Sequence, residues 1–395
     1  MGAVLAESRV RAPAQQEAAA RHLLHIFASF GYGGVPIRIC DVINGLGGAF
    51  RHTVVALDGR FDAARRLAPE AAVTLRPLSL PRYNLLRGMG MVRDLLRDAA
   101  PDLLLTYNWG AIEPALANRL LACCEHIHFE SGFGVEEGSG QLRRRNLFRR
   151  IALGRTQKVV VPSFTLMAIA AGKWSVPPEK LLRIANGVDL RRYGGEAGKR
   201  SPLAGCDIDP AAVVIGTVAP LRPEKNVGRL LHAFAALPER PECVLVVAGD
   251  GVEGAELRRL AAQLGIAERT RFLGHVEDVP AVLRALDIFA LSSDTEQMPN
   301  SLLQAMAAAR PVAAVDVGDL SRIVAPENRP LVVPRDRPGA MAEALAALAG
   351  DAPRRQVLGR LNQERVKAEY SLEAMIAAYR ALLGARGGAA GNASL

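Results

Sequence analysis

From His22 onward the chain alternates between short apolar runs and longer amphipathic stretches. The short runs of the first half are HLLHIF, HTVVALD, VTLRPL, DLLLTYN, HIHFE and KVVVPS, and between most of them apolar residues recur at helical spacing, as from Asn84 to Ala99. Strand and helix in regular alternation predict βαβ units around a parallel sheet, because parallel strands need a crossover that a helix supplies. The rhythm stops between Arg191 and Pro210, where EAGKRSPLAGCDIDP is rich in Gly, Pro and charge and has no apolar period. It resumes with AVVIGTV, CVLVVAGD, RFLG, DIFALSS, PVAAVD and LVVP. The expectation is an α/β chain of two doubly wound domains, residues 21–195 and 211–370, joined by a linker at 196–210. The pattern from Ser371 to Leu383 predicts a terminal helix within 371–385, free to pack back across the cleft between them. Residues 1–20 and 386–395 carry nothing that would dock them and read as flexible tails. Ligands of open α/β sheets bind at the carboxyl ends of strands, so two facing sheets place the site in that cleft.

Composition narrows the picture. The AVILMFWYC set makes up 50% of the 395 residues while only 5% are aromatic and 23% charged, so the apolar mass is Ala, Leu and Val. This excludes a disordered chain and an aromatic-rich β-sandwich. The five cysteines, Cys40, Cys123, Cys124, Cys206 and Cys243, contain no CxxC pair. No disulfide framework or zinc site is expected, and a reducing compartment fits. The first residues lack the apolar core of a secretion signal, and no apolar run approaches the roughly 20 residues of a membrane span, so the chain reads as cytoplasmic. Lys and Arg total 49 against 40 Asp and Glu, and the resulting +9 favours a phosphate-bearing or anionic-surface partner.

Three loops carry candidate chemistry. After the first strand, SFGYGGVPIR offers Gly31, Gly33 and Gly34 for a tight turn ahead of a helix whose free N–H groups suit a diphosphate. Alone, the same residues also fit a strand-to-helix turn without a ligand. In the second half GTVAPLRPEKNVGRLL puts Arg222 and Lys225 on the loop after a strand, where two cations can hold a diphosphate and offset charge building on it as it leaves. The segment DIFALSSDTEQMPNSLLQAMA delivers Glu296 from a strand, turns at Pro299 to Ser301, and continues into a helix from Leu302 that Asn300 or Ser301 can cap. Glu296 can bond sugar hydroxyls while the helix terminus holds phosphate.

In order and spacing these segments resemble the retaining, nucleotide-sugar-dependent glycosyltransferases of family 4, of the bacterial polysaccharide-assembly type. The resemblance is carried by the GG loop, NGVD at Asn186 to Asp189, LRPEKN at Leu221 to Asn226 and AGDG at Ala248 to Gly251. It continues through RFLGHV at Arg271 to Val276, TEQMPNSLLQAMA, PVAAVDVGD and YSLEAMIAAYRALL. It implies the GT-B architecture of two facing Rossmann-like domains, with acceptor recognition on the first and the nucleotide sugar on the second. By resemblance Glu296 holds the donor sugar, Lys225 the diphosphate, the corner at Met298, Pro299, Asn300 and Ser301 the donor, and His275 and Val276 the base; Gly33, Gly34 and Arg222 join the donor side from the reading of their own loops. No metal or other cofactor is implied, since no DxD-like carboxylate pair ends a strand.

Three positions depart from the family pattern. Its second carboxylate, which binds the ribose, is here Gln304, and weakened nucleotide binding is the expectation because an amide still donates and accepts. Pro220 stands where the family usually carries Arg, leaving Arg222 as the local guanidinium. In HIHFESGFG, Ser131 replaces a histidine, with His128 and Glu130 as the neighbouring acceptor-side candidates. A cationic amphipathic helix in QLRRRNLFRRIALGR offers Arg143, Arg144, Arg145, Arg149 and Arg150 to an anionic membrane surface, which suits a glycan or lipid-linked acceptor; a solvated face packed on its own sheet fits equally. Nucleic acid is not expected, since few aromatics interleave with the charges. The function expected is transfer of a hexose from a nucleoside diphosphate sugar in cell-surface polysaccharide synthesis, peripheral on the inner face of the plasma membrane. Two further readings stay open: a catalytically silent nucleotide-sugar-binding homologue or partner subunit, and a nucleotide-sugar epimerase on the same architecture.

Overall fold

The computed structural model describes residues 20–81, 84–133, 135–137, 140–193, 203, 205, 206, 208–238 and 241–384. The predicted tails and most of the predicted linker at 196–210 lie outside the described residues. By contacts the chain forms two units, one of residues 1–133, 141–185 and 373–395, the other of 134–140 and 186–372.

In the first unit strands β1 (Arg21–Phe27), β2 (Phe50–Ala56), β3 (Val73–Pro77), β4 (Leu103–Tyr107), β5 (Glu125–Phe129), β6 (Lys158–Val161) and β7 (Leu181–Arg183) form one sheet in the order β3-β2-β1-β4-β5-β6-β7. Every pairing is parallel. Six of these are the apolar runs read from sequence; β7 was not anticipated, because LLR is too short to show a period and gains its place by pairing with β6 at the sheet edge. The crossovers are α1 (Gly34–Leu46), α2 (Leu85–Ala99), α3 (Ile112–Leu121), α4 (Arg143–Ala152) and α5 (Phe164–Trp174). Asn84 and Ser163 cap α2 and α5 by accepting from Arg87 N and Leu166 N, satisfying N–H groups that the first helical turn leaves open.

In the second unit β8 (Val213–Val218), β9 (Cys243–Ala248), β10 (Thr270–Gly274), β11 (Ile288–Leu291), β12 (Val312–Val315) and β13 (Val332–Val333) are ordered β10-β9-β8-β11-β12-β13, again all parallel. Helices α6 (Val227–Ala235), α7 (Gly254–Gln263), α8 (Val279–Ala285), α9 (Asn300–Ala307), α10 (Leu320–Ile323), α11 (Ala340–Ala349) and α12 (Ala352–Glu369) connect and follow them. β9, β11 and β12 are wholly buried, as the interior of a sheet covered on both faces requires, while the edge strand β10 is half-buried. The last helix, α13 (Leu372–Gly384), belongs from Glu373 onward to the first unit. There Tyr379 stacks on Phe129 of β5 with ring centroids 5.4 Å apart, and Arg380 donates to the carbonyl of Gly45. Gly45 lets α1 and α13 meet, since a Cβ at that position would collide with Ile376.

In each sheet the chain reverses its winding between two neighbouring central strands, β1 and β4 in the first and β8 and β11 in the second. The loops leaving those strands diverge at the carboxyl edge, and the gap between them is where open α/β sheets accept ligands. No helix among the described residues is long and apolar enough to cross a membrane.

Candidate active site

The loops leaving β8 and β11 carry Lys225 and Glu296, which sequence alone cannot show to be neighbours. Lys225 closes a short 3-10 turn, Pro223–Lys225, before α6, and Glu296 lies in the irregular loop between β11 and α9. The strand expected to deliver Glu296 ends five residues earlier, at Leu291, and directly beyond it Ser292 Oγ donates to the Lys225 carbonyl at 3.1 Å. Lys225 Nζ donates to Glu296 Oε1 at 2.6 Å, and Ser293 Oγ donates to the same oxygen at 2.7 Å. The side chains are only 20% and 10% exposed, so the pair is partly desolvated and its charges interact more strongly than surface charges do. Glu296 Oε2 makes no hydrogen bond among the described residues and remains an open acceptor. The loop after β12 presses against the same spot: Gly318 has φ +62°, and a Cβ there would strike the Glu296 carbonyl, so only glycine fits.

Following Glu296, Met298 and Pro299 are buried and the chain enters α9 at Asn300, two residues earlier than the sequence suggests. Neither Asn300 nor Ser301 caps this helix, contrary to expectation. Pro299 is its N-cap residue, no side chain bonds the first turn, and the Asn300 Oδ1 instead accepts from Asn186 Nδ2 at 3.0 Å. Asn186 Nδ2 also donates to the Met298 carbonyl at 2.8 Å. The NGVD segment thus braces the corner, a role not assigned to it from sequence although the motif itself was visible. The uncapped first turn leaves its N–H groups available to an anion. Gln304, one turn further along α9, is half-buried and its amide makes no bond among the described residues.

Arg222 is exposed and its side chain bonds no described residue. His275 is exposed and Val276 half-buried in the loop after β10, which is tied to the loop after β9 by Gly249 N donating to the Gly274 carbonyl at 2.8 Å. These loops share the carboxyl edge with Lys225 and Glu296.

Gly33 is the N-cap of α1 with an extended φ of −174°, and none of Gly31, Gly33 and Gly34 has positive φ, so the turn does not depend on glycine's left-handed freedom. Gly34 is exposed at the helix start. Ser131 accepts from Arg38 Nη2 at 2.7 Å, and its N–H donates to Asn108 Oδ1 at 2.8 Å. His128 and Glu130 are fully buried, which removes them from direct contact with an acceptor. His128 Nδ1 bonds Thr106 Oγ1 at 2.8 Å inside the sheet. Glu130 faces Arg149, 3.5 Å away, and both side chains are inaccessible to solvent.

That contact corrects the reading of α4. Arg149 does not offer itself to a surface: its guanidinium lies 4.9 Å from the ring centres of Trp109 and Trp174 and 5.4 Å from Phe133, because a buried carboxylate and three aromatic faces compensate its lost hydration. Arg145 also covers Trp109, at 4.9 Å. Arg143, Arg144 and Arg150 remain exposed, beside the exposed Leu147 and Ile151 one turn apart.

Comparison with known proteins agrees with this architecture. A family model described as Glycosyltransferase Family 4 matches residues 32–192, and one described as Glycosyl transferases group 1 matches residues 211–351. The lipopolysaccharide core biosynthesis mannosyltransferase LpsB of Rhizobium meliloti is 30% identical over 212 residues, covering 51% of this chain and 60% of that protein. The D-inositol 3-phosphate glycosyltransferase of Salinispora tropica is 33% identical over 213 residues, covering 49% of this chain and 44% of its own. The matches thus span about half the length of these curated relatives. Among solved structures, Anabaena Alr3699/HepE in complex with UDP superposes with a TM-score of 0.78 at 17% identity, over 92% of this chain and 99% of that one. The same protein has been solved with UDP-glucose. With consecutive matches to both halves and a shared fold over nearly its whole length, this chain belongs to the glycosyltransferases of GT-B fold, a family 4 domain followed by a group 1 domain.

Proposed function

We propose that this protein moves a hexose from a nucleoside diphosphate sugar to a glycan acceptor carried on a lipid, with retention at the anomeric carbon. The observation that carries this reading is the Lys225–Glu296 pair at the switch point of the second sheet, beside the uncapped start of α9. Glu296 Oε2 accepts from sugar hydroxyls, while Lys225 and Arg222 meet the diphosphate together with the N–H groups of Asn300 and Ser301. In the reaction the bond from C1 to the diphosphate oxygen breaks on the face where the acceptor oxygen bonds C1, and the departing phosphate takes the acceptor's proton. Negative charge grows on the diphosphate as it leaves, and Lys225 lies where it offsets that charge without a metal ion. The bound UDP and UDP-glucose of the Anabaena protein support the donor class. Gln304 contacts the ribose, and the loop at His275 and Val276 meets the base.

The acceptor and its location rest on the first unit. The name of the Rhizobium relative, a lipopolysaccharide core mannosyltransferase, supports a glycolipid acceptor and a place in cell-surface polysaccharide synthesis. The α4 face of Arg143, Arg144 and Arg150 with Leu147 and Ile151 suits the inner leaflet, cations at the headgroups and apolar tips beneath them. Arg144→Gln is expected to weaken sedimentation with phosphatidylglycerol vesicles about fivefold, the value of one basic contact near an anionic surface. Binding that ignores both this change and added salt would remove α4 from the membrane reading.

The function is tested by incubating the purified protein with UDP-, GDP-, ADP- and dTDP-hexoses, following thermal stabilisation and slow release of nucleoside diphosphate. One donor class is expected to raise the melting temperature and be hydrolysed; stabilisation without release from any donor would favour a silent homologue.

A further inference from the structure

We propose that Asp294 is a positioning residue that sets the separation of Lys225 and Glu296, acting through Asn226 and Arg229. The proposal rests on the donor-site reading above, in which Asp294 acts through its protein partners and is assigned no contact with the donor. Its carboxylate is held from two directions: Oδ1 accepts from Arg229 Nη2 at 2.6 Å and Oδ2 accepts from Asn226 Nδ2 at 2.9 Å. Its N–H donates to the Glu224 carbonyl at 2.9 Å, and its carbonyl accepts from Arg335 Nη1 at 3.2 Å. Arg229 Nη1 also donates to the Ser292 carbonyl at 2.7 Å, and Ser292 Oγ donates to the Lys225 carbonyl at 3.1 Å. The residues on either side of Lys225 are therefore stitched to the residues that precede Glu296, without using either functional side chain.

Two features separate this from ordinary loop packing. Asn226 has φ +42°, a conformation glycine would adopt at lower cost, so the side chain must supply something. It supplies two bonds of opposite polarity: Oδ1 accepts from Arg229 N, capping α6, which fixes Nδ2 as the donor to Asp294. The Asp294 and Arg229 side chains are also 36% and 26% exposed, a setting in which an ion pair adds little to stability. Parallel pairing of β8 with β11 already holds the two strands together. What the network fixes is the geometry of the loops beyond them. A misplacement of about 1 Å at a reacting centre costs on the order of 100-fold in rate.

Asp294→Asn preserves shape but turns one acceptor into an NH2 group, which must face either the Asn226 amide or the Arg229 guanidinium, both donors. The expected result is a 10- to 100-fold lower kcat for the donor nucleotide sugar on the order set by such misplacement, with KM within about threefold. The melting temperature should move by no more than about 3 °C. The double variant Asn226→Asp with Asp294→Asn restores an acceptor opposite a donor and should recover most of the lost kcat. Crystals of the ligand-free Asp294→Asn protein supply a readout independent of turnover: Lys225 Nζ is expected to leave hydrogen-bond distance of Glu296 Oε1. An undisturbed pair overturns the proposal, as does a fall in kcat that tracks a fall in melting temperature and is not rescued by the double variant. If the parent protein turns over no nucleotide sugar, the donor-site reading fails by itself, and the crystal comparison still decides the role of Asp294.

Discussion

Glu296→Gln is expected to lower turnover of the donor nucleotide sugar by on the order of 10²- to 10³-fold while leaving the fold intact. The substitution is nearly isosteric, and the amide oxygen can keep the bonds now made by Oε1 with Lys225 and Ser293. The NH2 group then occupies the place of Oε2, the oxygen with no partner among the described residues, and converts the acceptor proposed to meet sugar hydroxyls into a donor. The charge facing Lys225 disappears as well. Lys225→Ala removes the other half of the pair and, on the proposed reading that this cation meets the leaving diphosphate, should cost at least on the order of 10²-fold. Release of nucleoside diphosphate measures both variants, with calorimetry of nucleotide binding beside it. A rate unchanged in Glu296→Gln would place the donor elsewhere. Weaker nucleotide binding with kcat unchanged, so that kcat/KM falls only as much as binding does, would assign the pair to holding substrate rather than to the chemical step.

The strands of both sheets were legible because a sheet covered on both faces demands near-continuous apolar runs, and runs such as CVLVVAGD and HTVVALD have few other uses. β7 was not, since three residues carry no period and the strand exists only because β6 offers it an edge. Lys225 and Glu296 could be nominated from their loops, but their separation of 2.6 Å depends on β8 lying beside β11, which is topology rather than local pattern. The start of α9 departs from the sequence pattern because Asn and Ser are common capping residues, whereas here Asn300 is drawn aside by Asn186, more than a hundred positions away in sequence. Long-range polar contacts of this kind leave no trace in the spacing of residues.

The charge balance shows the same limit. Five arginines between Arg143 and Arg150 look alike in sequence, yet helical geometry turns Arg149 inward while Arg143, Arg144 and Arg150 face solvent. Arg149 is matched by Glu130, so it contributes nothing to the field outside the protein. The surface available to an anionic partner is smaller than the sequence count suggests, and it includes two apolar residues that the count does not register.

Acidification is expected to destabilise the first unit well before the usual carboxylate range is reached. Five of the seven histidines, His22, His25, His52, His126 and His128, are buried in its sheet. His25 bonds His52 at 3.0 Å and the Tyr107 hydroxyl at 2.9 Å, and His126 lies between Thr106 at 2.8 Å and Thr156 at 3.1 Å. Burial, with a neighbouring histidine as the second cause, pushes His52 and His126 down from 6.5 to about 3, and His25 is likewise held well below its ordinary value. These rings are neutral when folded at pH values where the unfolded chain protonates them. Their depressed pKa therefore costs nothing above about pH 6.5, and stability falls as the pH drops from there toward about 3. At pH 5 each of the two rings costs on the order of 2 kcal/mol, together a large share of the roughly 5–15 kcal/mol that holds a typical domain. Both tryptophans, Trp109 and Trp174, lie in the first unit, so their fluorescence follows its unfolding separately from the second. Urea midpoints read this way should fall steeply between pH 7 and pH 5, and His126→Gln, which keeps a hydrogen-bonding side chain that cannot take up the proton, should flatten the slope. A midpoint that is level across that range in the parent chain would mean that these rings can be protonated inside the folded sheet, and that their hydrogen bonds differ from those described.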